Sequence, residues 1–156
     1  MQALDELISA SPVFGGMQEK HLKLIADCGR PVEVDADKYL FHAAGVADTF
    51  WLIRTGTIAL ELHGAGRGAV VIETLHDGEV VGWSWLFAPY RLQFDGRATE
   101  PCSLVAFDAA RLRAKCDEDH ELGYQLMQRF AATMAAALMA TRMQLLDVYG
   151  NVGAVR

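Results

Sequence analysis

Between Pro31 and Phe107 the chain is cut into short apolar runs by glycine-bearing turns, and this punctuation constrains the fold more than any other feature. Pro31-Val32-Glu33-Val34 alternates and gives way to an Ala36-Asp37 turn, and Tyr39-Leu40-Phe41-His42 is short and apolar. Phe50-Trp51-Leu52-Ile53-Arg54 reads as a core strand ended by Thr55-Gly56, and Thr57 to Leu62 alternates again. His63 to Gly68 reads as a loop, Ala69 to Leu75 as the next strand, and Leu104-Val105-Ala106-Phe107 closes the series. Short strands at regular spacing with glycine turns predict a mainly β sandwich or jelly-roll barrel.

Helical patterns flank this region. Leu4, Leu7 and Ile8 have helical spacing before Ser11-Pro12 and Gly15-Gly16 interrupt it, and Met17 to Cys28 repeats the period until Gly29. At the other end Asp108 is placed to cap a helix from Ala109 to Lys115, and Asp119 a long helix to Tyr149 that Gly150 is expected to stop. The apolar stripe of the long helix runs through Leu122, Leu126, Phe130, Met134, Ala137, Thr141, Leu145 and Val148. A stripe of that length exceeds what a small domain covers, so a partner helix in a homodimer is the simplest cover. The alanines at 131, 132, 135, 136 and 137 either allow close backbone approach in such a dimer or reflect helix propensity alone. The expected organisation is a sensor domain over residues 1–118, a dimerisation helix over 119–150 and a tail over 151–156.

At 156 residues with 52% hydrophobic and 22% charged residues, the chain can bury a core without disulfide or metal staples. Its net charge of −6 and lack of a basic stripe argue against a nucleic-acid partner. Cys28, Cys102 and Cys116 are odd in number and lack metal-ligand spacing, which reads as reduced thiols in a cytoplasmic protein. Asp5 and Glu6 stand where a signal peptide would be basic, and the run from Phe130 to Ala140 is too short to span a bilayer, so no membrane association is expected.

Taken in order, several motifs resemble the cyclic-nucleotide-binding domain of the Crp/Fnr regulators. Ser11-Pro12-Val13-Phe14 before an amphipathic helix resembles that domain's opening. Ala43-Ala44-Gly45-Val46-Ala47-Asp48 followed by Phe50 to Ile58 resembles its turn, core strand and glycine turn. Gly78-Glu79-Val80-Val81-Gly82 resembles the approach to its phosphate-binding cassette, and the long last helix its dimerisation helix. The resemblance spans Ser11 to Tyr149 and implies a double-stranded β-helix, or jelly-roll, flanked by helices. The family's helix-turn-helix would follow the long helix, whereas this sequence ends at Arg156, so no DNA-binding module is expected in it.

The resemblance also locates a candidate site, Gly82-Trp83-Ser84-Trp85-Leu86-Phe87-Ala88-Pro89-Tyr90-Arg91-Leu92 with Gln93 next. The family carries Glu for the ribose hydroxyl near its start, where this chain has Val81-Gly82-Trp83, and Arg for the cyclic phosphate where this chain has Leu92-Gln93. Arg91 is one residue off that position, and strand alternation points it to the other face unless a bulge intervenes. Arg97 precedes a small residue, Ala98, but lies closer to the closing strand than the family allows. Both arginines are otherwise ordinary surface residues. Ser84 with the Gly82 backbone offers a weak anion nest. Trp83 and Trp85 either fill the core or wall a pocket, pointing together if the segment is extended and apart if it is helical. The resulting ligand-contact candidates are Gly82, Trp83, Ser84, Trp85, Arg91, Leu92 and Gln93, and the sequence identifies no cofactor.

No catalytic constellation is visible. His21, His42, His63, His76 and His120 are scattered, and no glycine-rich nucleotide loop, His-Glu metal helix or nucleophile elbow occurs. His42, His63 and His76 fall near strand ends, where only tetrahedral convergence would mark a metal site. The sequence leaves two functional expectations. One is a dimeric regulatory domain that senses a small molecule through an altered cassette. The other is an accessory subunit that docks on a larger enzyme with an unliganded barrel, since domains resembling this one occur in oxidoreductases such as NAD-reducing hydrogenases.

Overall fold

A computed structural model describes residues 3–66 and 68–153. Two short helices, α1 (Leu4–Ser9) and α2 (Glu19–Ala26), lead into eight strands: β1 (Gly29–Val34), β2 (Tyr39–Phe41), β3 (Thr49–Thr55), β4 (Ile58–Gly64), β5 (Gly68–Leu75), β6 (Val80–Val81), β7 (Asp95–Ala98) and β8 (Cys102–Asp108). A 3-10 turn at Ser84–Leu86 lies between β6 and β7, and α3 (Ala109–Glu118) and α4 (His120–Gly153) follow the last strand. The strands form two four-stranded sheets, ordered β1-β8-β3-β6 and β2-β7-β4-β5, with every pairing antiparallel. This is the expected jelly-roll with flanking helices.

Three local expectations are corrected. His63 and Gly64 continue β4 and Gly68 opens β5, with His63 paired to Ala69, so the loop is confined to the hairpin tip; Arg67 lies outside the described residues. A strand forms at Asp95–Ala98, where residues poor in strand propensity had masked it. Glycine is needed there, because a Cβ at Gly96 would stand 2.5 Å from ring carbons of Phe41. Finally, Gly150 does not stop α4, which runs through residues 151–153 that the sequence placed in a tail. An interior glycine costs a helix only about 1 kcal/mol relative to alanine. Residues 154–156 of that tail lie outside the described residues.

The core has two parts. Between the sheets sit Ile53, Ile58, Leu60, Leu75, Val81 and Leu104. The other part joins the β1-β8-β3-β6 sheet to the helices through an aromatic stack. Phe50 lies parallel to Trp85 and Phe107 at 4.6 and 4.7 Å, and Phe130 of α4 meets Phe50 and Trp85 edge-on. Edge and offset contacts of this kind add roughly 0.5–1.5 kcal/mol per pair beyond area burial.

The helix ends follow the sequence logic. Asp108 accepts a hydrogen bond from Arg111 N at 3.1 Å, and Asp119 accepts one from Leu122 N at 3.2 Å. Arg129 of α4 donates to the carbonyls of Val13 and Gly15 at 2.7 and 2.6 Å, tying the helix to the N-terminal segment. Leu122, Leu126 and Phe130 are buried against the domain, Met134 and Ala137 are half-buried, and every residue from Leu138 to Gly150 is exposed. No helix among the described residues is long and apolar enough to cross a membrane.

Candidate functional site: a cavity walled by the long helix

The chain leaves β6 through Gly82, whose φ of +94° is a conformation open to glycine without a Cβ penalty. It then tightens into the 3-10 turn, with Leu86 N donating to Trp83 O at 3.1 Å. Because the segment is helical rather than extended, the two tryptophans part company. Trp85 points inward to the aromatic stack and is 1% exposed, while Trp83 stays half-buried and faces a cavity of ≈ 370 Å³.

Four walls enclose that cavity. Gly82, Trp83 and Ser84 form one, with Leu92, Gln93 and Phe94 returning beside them. Leu60 of β4 with Glu73 and Leu75 of β5 form the sheet wall, joined by Phe41, and Pro12 and Val13 form another. Thr133, Ala136, Ala137 and Ala140 of α4 complete it. Of the alanine stretch, Ala136 and Ala137 line the cavity, where small side chains on α4 leave room, and Ala131, Ala132 and Ala135 do not. The volume falls in the range of small-molecule sites, roughly 300–1,000 Å³.

Of the sequence candidates, Gly82, Trp83, Ser84, Leu92 and Gln93 line this cavity, and Trp85 and Arg91 do not. Arg91 is exposed, bridges to Val46 and donates through Nη1 to Ala44 O at 3.5 Å. Arg97 is engaged elsewhere: its Nε donates to the buried Glu61 and its Nη1 to Asp37 at 3.0 Å. Among the described residues the ionisable side chains lining the cavity are Glu73 and Glu79, both acidic. Burial, followed by repulsion from Glu79, pushes the Glu73 carboxyl above its ordinary range. Sequence reasoning singled out neither as a site residue. The available signal was the alternation in β5, which puts Glu73 on the same face as Leu75.

Two polar clusters lie apart from the cavity lining. His63 and His42 converge through Nδ1 on Asp95 at 2.5 and 3.5 Å, without His76. Burial would raise the Asp95 carboxyl, but the Ala43 N–H at 2.7 Å and the two imidazoles outweigh it and hold the group below its usual value. The ligand atoms of His21, Asp119 and Glu121 all lie within 4.8 Å of one another. The ammonium of Lys20 already stands 3.6 Å from Glu121, so a cation is supplied there by the chain itself. The cysteines are free, and burial raises each thiol, Cys116 to about 11 with help from Asp117 and Asp119. Thiols raised in this way are poor nucleophiles at neutral pH.

A search of curated proteins finds no match to the sequence. Solved structures resemble it closely in fold. A putative cyclic nucleotide-binding protein from Geobacter metallireducens is 26% identical with a TM-score of 0.79, the alignment covering 88% of this chain and 99% of that one. A cyclic nucleotide-binding domain from Methylobacillus flagellatus is 15% identical with a TM-score of 0.78, over 93% and 82% of the two chains. The N-terminal domain of a transcriptional regulator from Streptomyces coelicolor is 18% identical with a TM-score of 0.68, over 86% and 94%. The family model of the cyclic nucleotide-binding domain matches residues 31–119, from β1 through α3 and so across all eight strands and the Gly82–Gln93 segment. With the jelly-roll and more than half of the sequence in agreement, the chain belongs to the cyclic nucleotide-binding domain family.

Proposed function

We propose that this chain is a regulatory domain that senses a small molecule in the cavity beneath α4 and reports occupancy through that helix. The observation that carries the reading is the shared wall. The α4 turns carrying Thr133, Ala136, Ala137 and Ala140 face the cavity and lead directly into the exposed half of the helix. A ligand that fills the cavity touches the element that leaves the domain. The exposed half carries Leu138, Met139, Met143, Leu145, Leu146 and Tyr149, an apolar surface suited to a second copy of α4 in a homodimer. The three free thiols fit a reducing, cytoplasmic setting.

The altered cassette belongs to the same reading. A cyclic phosphate placed here meets Leu92, Gln93 and two carboxylates and no arginine among the described lining residues. A buried anion without a forked guanidinium or equivalent donors is poorly compensated. Cyclic AMP and cyclic GMP are therefore expected to bind weakly.

A second reading, docking on a larger enzyme such as an oxidoreductase, is favoured by one feature. Leu62, Val70 and Val71 are exposed together near the tip of the β4–β5 hairpin, at an edge strand. That reading expects a filled barrel, whereas the cavity is open to occupation. A thermal-shift panel of cyclic nucleotides, other nucleotides and aromatic or acyl compounds tests the choice. At a hundredfold excess over its dissociation constant a true ligand adds about 2.7 kcal/mol and raises the melting temperature by about 5–10 °C. Stabilisation by an apolar compound that Trp83→Ala abolishes supports sensing. A flat response throughout supports docking, and a large shift with cyclic AMP refutes the reading of the cassette.

A further inference from the structure

Carboxylates drawn into a protein are normally compensated, and elsewhere this chain follows the rule. Glu61 is buried and paired with Arg97. Asp95 is buried and takes the Ala43 N–H and two histidines. Asp119 caps α4 and lies 3.5 Å from His21. Glu73, half-buried, is different, and the exposed Glu79 stands beside it. They share one cavity, and among the described residues neither side chain has a hydrogen bond or an ion pair. Lys, Arg and His are absent from the described lining.

The rest of the cavity favours one kind of charge. Trp83, Phe41 and Phe94 present aromatic surface, whose negative π-faces attract cations and repel anions. The remaining polar side chains are Ser84, Gln93 and Thr133, each of which has an oxygen able to accept from an N–H donor. The other lining residues, including Leu60, Leu75, Val80 and Leu92, want hydrocarbon.

We infer that the cavity takes an apolar organic cation, an amine or ammonium group carried on an aromatic or aliphatic body, in preference to an anion of the same shape. The ammonium sits between Glu73 and Glu79 at the sheet wall, and the apolar body lies against Trp83 and the alanine face of α4. Glu73 is the inner of the two carboxylates and supplies most of the selectivity, because Glu79 is exposed and screened by solvent. This inference rests on the proposal that the cavity is a ligand site, and it adds the charge class of the ligand.

A set of three probes with one ring system tests it: tryptamine, the neutral tryptophol and the anionic indole-3-propionate, with cyclic AMP as a fourth. Binding is measured by calorimetry and thermal shift on the full chain and on Glu73→Gln, Glu79→Gln and Trp83→Ala. Tryptamine is expected to bind at least about 10-fold more tightly than indole-3-propionate, with tryptophol between them. Glu73→Gln is expected to erase most of that preference while leaving tryptophol unchanged, and Glu79→Gln to erase less. Trp83→Ala is expected to weaken all three. Equal or tighter binding of indole-3-propionate or cyclic AMP overturns the charge class and leaves sensing intact. A tryptamine preference that survives in Glu73→Gln also overturns it. If no probe binds at millimolar concentration, the charge class fails, and the sensing proposal is decided by the wider thermal-shift panel.

Discussion

The β4–β5 hairpin treats acid in opposite ways at neighbouring positions, Glu61 on β4 and Glu73 on β5. Glu61 is neutralised by Arg97, and Asp95, its partner across β4 and β7, by histidines and a backbone N–H, so these carboxylates act as structural fasteners. At the cavity, Glu73 and Glu79 face each other's charge with no base in the described lining. The first arrangement makes burial of charge tolerable and adds to stability. The second costs stability, and the proposed cationic ligand would offset that cost. Stability and ligand chemistry are therefore separable within one sheet.

The largest expected effect that sharpens this contrast comes from Arg97→Ala. It leaves Glu61 buried without its cation and should cost about 2–3 kcal/mol, read as a lower midpoint in urea denaturation. An unchanged midpoint would make Glu61 no better compensated than Glu73. Next comes Asp95→Ala, which removes the acceptor of the Ala43 N–H and both imidazoles and should cost about 1–2 kcal/mol. Because the Asp95 carboxyl is held below its unfolded value, its contribution is present above that value and is lost as pH falls through the lower folded value. Melting curves from pH 7 down to pH 3 should show the variant losing less stability than the parent at the acid end.

The smallest effect has the opposite sign. Glu73→Gln removes a raised carboxylate with no partner among the described residues and should stabilise the protein by up to about 1 kcal/mol at neutral pH. The Glu73 carboxyl is raised in the folded state, so its penalty applies above its folded value and fades as pH falls. The stabilisation by Glu73→Gln should therefore fade first on acidification, above the ordinary carboxylate range, whereas the Asp95→Ala deficit shrinks only at lower pH, below that range. A destabilised Glu73→Gln protein would mean that this carboxylate has a structural partner after all.

Periodicity made the barrel legible. Phe50 to Arg54 and Leu104 to Phe107 are apolar enough to announce strands, and Asp108 and Asp119 mark helix starts by capping chemistry. Asp95–Ala98 was hidden because its glycine answers to the Phe41 ring rather than to strand propensity. Trp83 and Trp85 could not be separated in sequence, since their divergence depends on a single 3-10 turn. Arg97 has a plausible sequence context for a ligand, yet Glu61 and Asp37 engage it, and those contacts bridge distant strands and turns. Glu73 passed as an ordinary strand residue, because its neighbours across the cavity come from α4 and the N-terminal segment.

The anchoring of α4 by Arg129 has a mechanical consequence. The helix is fixed by two guanidinium bonds to the Val13 and Gly15 carbonyls just before the turns that face the cavity, and about 24 Å of it extends beyond Ala137. Pivoting at Arg129, a tilt of about 5° carries the far end of α4, about 36 Å away at 1.5 Å per residue, by about 3 Å. In the proposed sensing, Arg129 would serve as the fulcrum of a lever, with the cavity close to it and the exposed end of α4 far from it.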